Sequence, residues 1–205
     1  MLTRRSFLIL TSALAATAAI PGLAARAFAQ APEPATAFVQ STGQRLVDVV
    51  NGAGTLADKR GRLQQIIEGT VDVNGVARFC LGSFWNRATP EQQRQYTALF
   101  HNVLLNNITG NLGEYAGVTF ETGRTQHRGD VDVVSTVVNR PNNPPAKVDW
   151  WILDTASGPK IVDVVAEGTS LRLTQRSDYA SYITRNGNSV QALIDAMKQQ
   201  AAQNG

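Results

Sequence analysis

The sequence contains little of the chemistry that disulfides, metal sites and most catalytic centres use. Its 205 residues include one cysteine and two histidines. A lone cysteine excludes an intramolecular disulfide, even in an oxidising compartment. Cys80 lies among Val76, Phe79 and Phe84 at helical spacing, which predicts a small buried hydrophobe rather than a reactive thiol. We therefore predict no catalytic residue, no metal site and no cofactor.

The sequence also lacks an apolar run long enough to span a bilayer. The run from Leu8 to Ile20 has thirteen residues, and a spanning helix needs about 20. It follows the twin-arginine export motif Thr3-Arg-Arg-Ser-Phe-Leu8 and precedes Ala27-Phe-Ala29, a small-x-small cleavage pattern. No cysteine follows that pattern, which excludes a lipoprotein. We predict a signal peptide of the twin-arginine type over residues 1–29, a single domain over residues 30–205 and a periplasmic location.

An excess of charge of one sign is missing as well, once that leader is set aside. The whole chain carries +3, but the leader contains Arg4, Arg5 and Arg26 and no acidic residue. The remainder is balanced, with 16 basic and 16 acidic side chains. The basic whole-chain character therefore does not indicate nucleic-acid binding, and we expect no nucleic-acid partner.

The spacing of apolar residues predicts helices, then strands, then helices. Helices are predicted over 35–51, 56–68, 76–85 and onward from Pro90, where Thr89 caps the start. Four strands are predicted over 118–127, 131–140, 147–154 and 160–166, with connections that suit antiparallel hairpins. Ser189 is predicted to cap a last helix. This order indicates the α+β class, with a curved four-stranded antiparallel sheet packed with N-terminal and C-terminal helices.

The predicted strands are apolar on both faces. Val133 alternates with Val134, and Trp150 alternates with Trp151, whereas a sheet with one wet face should show polar residues at every second position. Two interpretations follow: helices cover both faces, or one face lines a cavity that holds an apolar ligand. The residues alone favour the first.

One segment carries a family resemblance. It runs from Asp163 to Tyr179 and reads as a strand that stops at Gly168 and gives way to a helix, capped by Ser177 or Asp178. The pattern of a Trp-bearing strand, then Asp-Val-x-x-Glu-Gly-x-Ser-Leu, then an Arg and an aromatic, resembles the C-terminal signature of the MlaC family, also called toluene-tolerance proteins. Those positions are Trp150 or Trp151, Asp163, Val164, Glu167, Gly168, Ser170, Leu171, Arg176 and Tyr179.

The resemblance covers nearly the whole chain after the leader and implies both fold and function. MlaC proteins are periplasmic lipid carriers of the Mla system, which maintains lipid asymmetry in the outer membrane. It implies a deep apolar cavity for a phospholipid, and it reverses the preference between the two interpretations above. The implied partners are an inner-membrane ABC transporter complex with a lipid-binding ring and an outer-membrane lipoprotein complex. Some members handle hopanoids, which remains the alternative cargo, and we expect a monomer.

Periodicity and resemblance together predict eleven lipid-binding residues, although ordinary core packing explains each of them equally well. They are Phe79, Trp85, Phe100, Val103, Leu104, Val133, Val137, Trp150, Ile152, Val164 and Tyr182. Four arginines are predicted to be able to reach a phosphate at the cavity mouth: Arg87, Arg94, Arg140 and Arg176.

Two rival functions remain. The first is an enzyme on a cone-shaped α+β scaffold of the nuclear-transport-factor-2 type, which would need a histidine (His101 or His127) paired with Asp130 or Asp132. We expect no enzyme, because two histidines are too common to indicate a relay. The second is a protein-binding adaptor without a small ligand, docking through the helix around Met197.

Overall fold

The computed structural model describes residues 33–110 and 112–203. The predicted signal peptide lies outside these residues. Six α-helices and five β-strands lie within them. They are α1 Pro34–Asn51, α2 Leu56–Thr70, α3 Val73–Leu81, α4 Pro90–Thr109, β1 Thr119–Arg128, β2 Val131–Asn139, β3 Ala146–Thr155, β4 Gly158–Ala166, β5 Thr169–Ser170, α5 Leu171–Arg185 and α6 Val190–Gln203. The predicted α+β class is confirmed, and short 3-10 turns over Gly82–Arg87 and Leu112–Tyr115 complete the order.

The start of α4 forms as its sequence predicts. Thr89 accepts a hydrogen bond from the backbone N–H of Gln92, and the Gln92 side chain accepts one from the backbone N–H of Thr89. This capping box, with Pro90 at the first helical position, satisfies backbone donors that have no partner within the helix. The final helix is also capped as predicted, since Ser189 Oγ accepts a hydrogen bond from Ala192 N at 3.2 Å.

The sheet has five strands rather than the predicted four. All neighbours pair antiparallel in the order β1-β2-β3-β4-β5. The additional strand, β5, has two residues and pairs with the end of β4. The connection between them consists of Glu167 and Gly168, with φ angles of 49° and 79°. Positive φ at both positions is what a two-residue hairpin turn requires, so the chain reverses at once and forms a short strand that was not predicted.

Helix α5 therefore begins earlier than predicted. Its N-cap is Ser170, whose Oγ accepts a hydrogen bond from Leu173 N at 3.2 Å, and not Ser177 or Asp178. Because β5 ends at Ser170, the strand passes directly into the helix. The two later polar residues lie on the exposed side of α5.

The strand register divides the apolar residues between two faces of the sheet. Trp150 lies between Val134 and Val164, whereas the next residue, Trp151, lies between Val133 and Asp163. Successive side chains point to opposite faces. Helix α1 packs on the Val134 face, and Arg172 of α5 lies over the Trp151 ring. Helices thus contact both faces, and a lipid cavity on one of them stays a prediction.

Two apolar clusters form the core. The helix cluster lies among α1 to α6 and is centred on Tyr96, whose ring lies 6.0 Å from that of Phe100 and 5.9 Å from that of Tyr179. The Tyr96 hydroxyl donates a hydrogen bond to the Ala77 carbonyl at 2.9 Å, and burial raises its pKa. The sheet cluster joins α1 to the sheet, and its buried members are Ala35, Val39, Val134, Ile152 and Ile161.

None of the helices in residues 33–110 and 112–203 has both the length and the apolar character that crossing a bilayer demands.

Candidate functional site

Six of the eleven predicted lipid-binding residues belong to the helix cluster. Phe100 and Val103 are buried within it, on α4. The others are half-buried and pack against it: Phe79, Trp85, Leu104 and Tyr182.

The other five lie on the sheet and do not share one face. Ile152 is buried in the sheet cluster, and Trp150 and Val164 pack against that cluster. Val133 and Val137 point to the opposite face, where Val133 is buried and Val137 is 36% exposed. No single wall can therefore contain all eleven residues. Their role in lipid binding stays a prediction.

One surface groove brings two of the predicted residues together. It has a volume of about 390 Å³ and lies between α3, the turn at Gly82–Arg87 and α5. Phe79 and Trp85 line it together with Arg78, Asn86 and Arg176. We call it the arginine groove. Of the four arginines predicted to reach a phosphate, only Arg176 is among its lining residues.

The position of Arg176 depends on a glycine. Its guanidinium lies 4.9 Å from the centre of the Phe79 ring and donates a hydrogen bond to the Phe79 carbonyl at 3.3 Å. Gly82 has φ +60°, and a Cβ at that position would lie 3.1 Å from Arg176 Nε. Any side chain there would be strained and would crowd the guanidinium. The predicted helix over 76–85 runs through Gly82, whereas α3 ends at Leu81. Nothing in the sequence indicated that an arginine about ninety residues later would fill the space beside this glycine.

A second groove, of about 640 Å³, lies between α1 and β1. Gln40 Nε2 donates a hydrogen bond to Thr122 Oγ1 at 2.8 Å, and the hydroxyls of Thr36 and Thr125 lie 2.6 Å apart. The Phe120 ring fits against Gly43, where a Cβ would lie only 2.5 Å from Phe120 Cζ. Both grooves are open to solvent. The deep apolar cavity that the resemblance implies stays a prediction.

The signature segment joins β4 to the start of α5 through a buried carboxylate. Asp163 is 6% exposed and accepts hydrogen bonds from Ser170 Oγ at 2.5 Å and from the backbone N–H of Arg172 at 3.2 Å. Arg172 Nε also lies 3.3 Å from Asp163 Oδ2, close enough for an ion pair although not aligned as a hydrogen bond. The Arg172 guanidinium is stacked 4.5 Å from the Phe79 ring. The acidic residue of the signature therefore positions the helix that borders the arginine groove.

The other acidic residue of the signature completes the neighbouring hairpin. Glu167 N donates a hydrogen bond to the Lys147 carbonyl at 2.9 Å, and the Glu167 carboxylate accepts one from the Lys147 N–H. The Glu167 side chain thus gives the backbone N–H of Lys147, at the start of β3, a hydrogen-bond partner, while the Glu167 backbone makes the turn with Gly168. Both acidic positions of the signature have structural partners.

Comparison with known families decides the assignment. The family model described as MlaC protein matches residues 40–199. This chain belongs to the MlaC family. The match contains both apolar clusters, both grooves and the signature segment, apart from the first residues of α1.

A solved structure supports the same fold. This chain is similar to the phospholipid-binding protein from Ralstonia solanacearum, whose structure was determined in complex with a phospholipid. The two share 25% sequence identity and superpose with a TM-score of 0.74, over 83% of this chain and 98% of the other.

The histidines of this MlaC-family chain do not line either groove. His127 pairs with Asp132 across the β1-β2 hairpin, with 81% of the His127 side chain exposed. His101 lies on a different element, α4. In residues 33–110 and 112–203 no three His, Cys, Asp or Glu side chains cluster so that they could hold a metal ion. The pair at the hairpin is open to water, so it lacks the enclosed surroundings that shift the pKa of a catalytic base.

The cysteine is buried, as its helical spacing predicts. Cys80 is 1% exposed, and its Sγ lies 3.6 Å from the Arg172 carbonyl. Burial raises the pKa of this thiol to about 12, helped by the nearby Asp163 charge and opposed by Arg172 and Arg176. A thiol with such a pKa is almost entirely protonated near neutrality and is a poor nucleophile.

Proposed function

We propose that this protein is a periplasmic lipid carrier that sheathes the acyl chains of a phospholipid and passes the lipid between inner-membrane and outer-membrane complexes. Membership in the MlaC family supports a binding and transport protein rather than an enzyme. A phospholipid is the proposed ligand because 83% of this chain is similar to a protein whose structure was solved with a phospholipid.

The physical chemistry of lipid transfer explains why such a carrier needs partners. Burial of one methylene is worth roughly 0.8 kcal/mol, so that sheathing a two-chain lipid gains on the order of 20 kcal/mol relative to water. A bilayer offers nearly the same gain, and exchange between carrier and membrane is therefore close to balanced. Direction must come from the complexes at each end, for which we propose an ABC transporter with a lipid-binding ring and an outer-membrane lipoprotein complex.

Native mass spectrometry tests the proposal. The chain after the leader is purified without detergent, its intact mass is measured, and the material that co-purifies is extracted and identified. We expect one lipid per protein chain. A phospholipid would support the proposal, and a hopanoid would change the cargo but not the carrier role. A lipid-free mass, under conditions that preserve the lipid complex of a known carrier, would contradict the proposal and favour the adaptor.

A further inference from the structure

The arginine groove carries an unbalanced positive charge. Arg78 and Arg176 line it, and none of the lining residues is acidic. Within the part of the chain that the structure describes, the ion pairs found involve neither of these arginines. Asp72, which contacts the lining residue Gly75, caps α3 by accepting a hydrogen bond from Gly75 N at 2.9 Å. The buried acid behind the groove, Asp163, is already paired with Arg172.

Aromatic rings hold the two guanidinium groups in place. Arg176 lies against Phe79, as described above, and the Arg78 guanidinium lies 5.8 Å from the centre of the Trp85 ring. A ring contact attracts the face of a guanidinium and leaves the N–H groups along its edge able to donate. Two arginines that line one groove offer it N–H donors of the kind that bind phosphate oxygens.

The size of the groove suits a small anionic group. Its volume of about 390 Å³ lies near the lower end of the range of roughly 300 to 1,000 Å³ for small-molecule sites. The walls combine two charged groups with two aromatic rings, and Phe79 also packs against the helix cluster. A ligand that is charged at one end and apolar at the other meets both kinds of surface here.

We propose that the arginine groove binds a phosphate group through Arg78 and Arg176. The phosphate is either the phosphodiester in the headgroup of the carried lipid or a free phosphate ion. The first source rests on the proposed carrier function, and the second does not. Phe79 and Trp85 then contact the glycerol end of the lipid where it leaves the groove for the helix cluster.

The experiment compares two lipids that differ only in the phosphoglycerol headgroup. Delipidated protein is loaded with phosphatidylglycerol or with a diacylglycerol of the same acyl chains, and the affinities are measured by competition with a fluorescent lipid. We expect the wild type to favour phosphatidylglycerol and Arg78→Gln to lower that preference about fivefold, since a half-exposed charged hydrogen bond is worth roughly 1 kcal/mol. Arg78→Lys should keep more of the preference than Arg78→Gln, because the charge remains.

Arg78 is the better position for the test because it is exposed, so its replacement leaves the fold intact. Arg185→Gln is the matched control, since Arg185 lies in the last turn of α5 and outside the groove. We expect this variant to keep the wild-type preference. A urea denaturation curve for each variant confirms that equal amounts of folded protein are compared.

A parallel titration with inorganic phosphate separates the two sources. Loss of lipid preference in Arg78→Gln supports the headgroup. Phosphate-induced shifts of the arginine Nε resonances that disappear in Arg78→Gln, with lipid preference unchanged, support a free phosphate. An unchanged lipid preference together with no phosphate binding overturns the inference. If wild type binds neither lipid, the carrier proposal fails, and the phosphate titration still decides whether the groove binds an anion.

Discussion

A chain of contacts connects the signature segment to the arginine groove. Asp163 accepts hydrogen bonds from Ser170 Oγ and from the Arg172 backbone N–H, and the Arg172 guanidinium lies against the Phe79 ring on the groove wall. A buried carboxylate is tolerated because donors surround it. The Phe79 ring is held between Arg172 and Arg176, 4.5 Å and 4.9 Å from their guanidinium carbons. The segment therefore reaches the groove in two ways, directly through Arg176 and through the contact of Arg172 with the Phe79 ring.

Cys80 offers a test of burial at one residue. Its raised pKa predicts that iodoacetamide does not modify it in the native protein at pH 8 but does so in urea. Ser181→Cys places a second thiol on the exposed side of α5 and serves as the control. Alkylation is followed by intact mass. Modification of Cys80 as fast as the control thiol would contradict its burial.

The same pKa shift fixes the sign of a pH effect. The pKa of the folded thiol, about 12, lies above the ordinary value of 9.0. The folded state therefore binds the proton more tightly, and the stabilising contribution of the buried thiol is complete below pH 9. It is lost as the pH rises from 9 toward 12. Cys80→Ala should reduce the loss of stability over this interval, which urea denaturation at pH 8 and pH 10 measures.

Residue-level roles were predictable from the sequence only where they depend on near neighbours. The burial of Cys80 followed from apolar residues within four positions of it. Arg78 and Gly82 were not recognised as groove residues, because their importance depends on Arg176, which is distant in sequence. The pairing of Asp163 with Arg172 was also missed, although a carboxylate in an apolar strand is a signal that a partner must exist.

At the scale of elements, the packing of α1 on β1 depends on the absence of a side chain. Gly43 lies in the middle of α1, where glycine is unfavourable for a helix by up to about 1 kcal/mol relative to alanine. The Phe120 ring occupies the space that a side chain would fill. Close contact between helix and strand explains why glycine is found there.

Gly43→Val tests this contact. We expect it to lower the free energy of unfolding by about 1 to 3 kcal/mol, because the Phe120 ring must move. Gly61→Ala in α2 is the control, since nothing lies within 4 Å of a Cβ at Gly61, and we expect it to stabilise the protein by about 0.5 to 1 kcal/mol. Urea denaturation measures both. If Gly43→Val costs as much in a Phe120→Leu background as in wild type, the ring is not the cause.

Strand boundaries were predicted well, as was the capped start of α4, whereas the helix predicted over 76–85 is α3 at Val73–Leu81. The four long strands lie within about two residues of their predicted limits, a margin usual for element ends. The start of α5 was wrong by several residues, because a turn as short as Glu167-Gly168 has no loop composition to recognise. The turn needs Glu167 in a conformation that non-glycine residues seldom adopt.

At the scale of the whole molecule, the described chain has two apolar clusters, and nine of the eleven predicted lipid contacts are divided between them. The periodicity of apolar residues predicts which side chains are buried, but it does not predict whether protein or a ligand buries them. A core side chain and a ligand contact therefore look the same in the sequence. For this reason the α+β class could be predicted, whereas the place of the lipid could not.

Two substitutions on β2 and β3 separate core packing from lipid contact. Ile152 is 3% exposed, and Ile152→Gln should lower the free energy of unfolding by about 3 kcal/mol, because it buries an unsatisfied amide. Val137 is 36% exposed, and Val137→Gln should change stability by no more than about 0.5 kcal/mol. Glutamine is preferred to glutamate at Val137 because Glu121 lies directly across the strand pair.

The amount of phospholipid that co-purifies with Val137→Gln then tests its predicted lipid contact. We expect less lipid than in wild type, since the amide interrupts an apolar surface. Asp154→Asn, at an exposed position near the end of β3, is the control. Full retention by the folded Val137→Gln protein would remove Val137 from the lipid-binding set.

The long-range contacts of α1 determine the order in which the chain can fold. Thr36 meets Thr125, 89 residues later, and Gln40 meets Thr122, 82 residues later. A ribosome therefore releases α1 long before it has made the strands on which that helix rests. An isolated helix of 18 residues is only marginally stable in water, and contacts between distant residues form slowly. The first helix to be synthesised in the described chain can thus meet α2 early, but it completes its packing only after β1 has been made, and until then its sheet-facing side is available to chaperones.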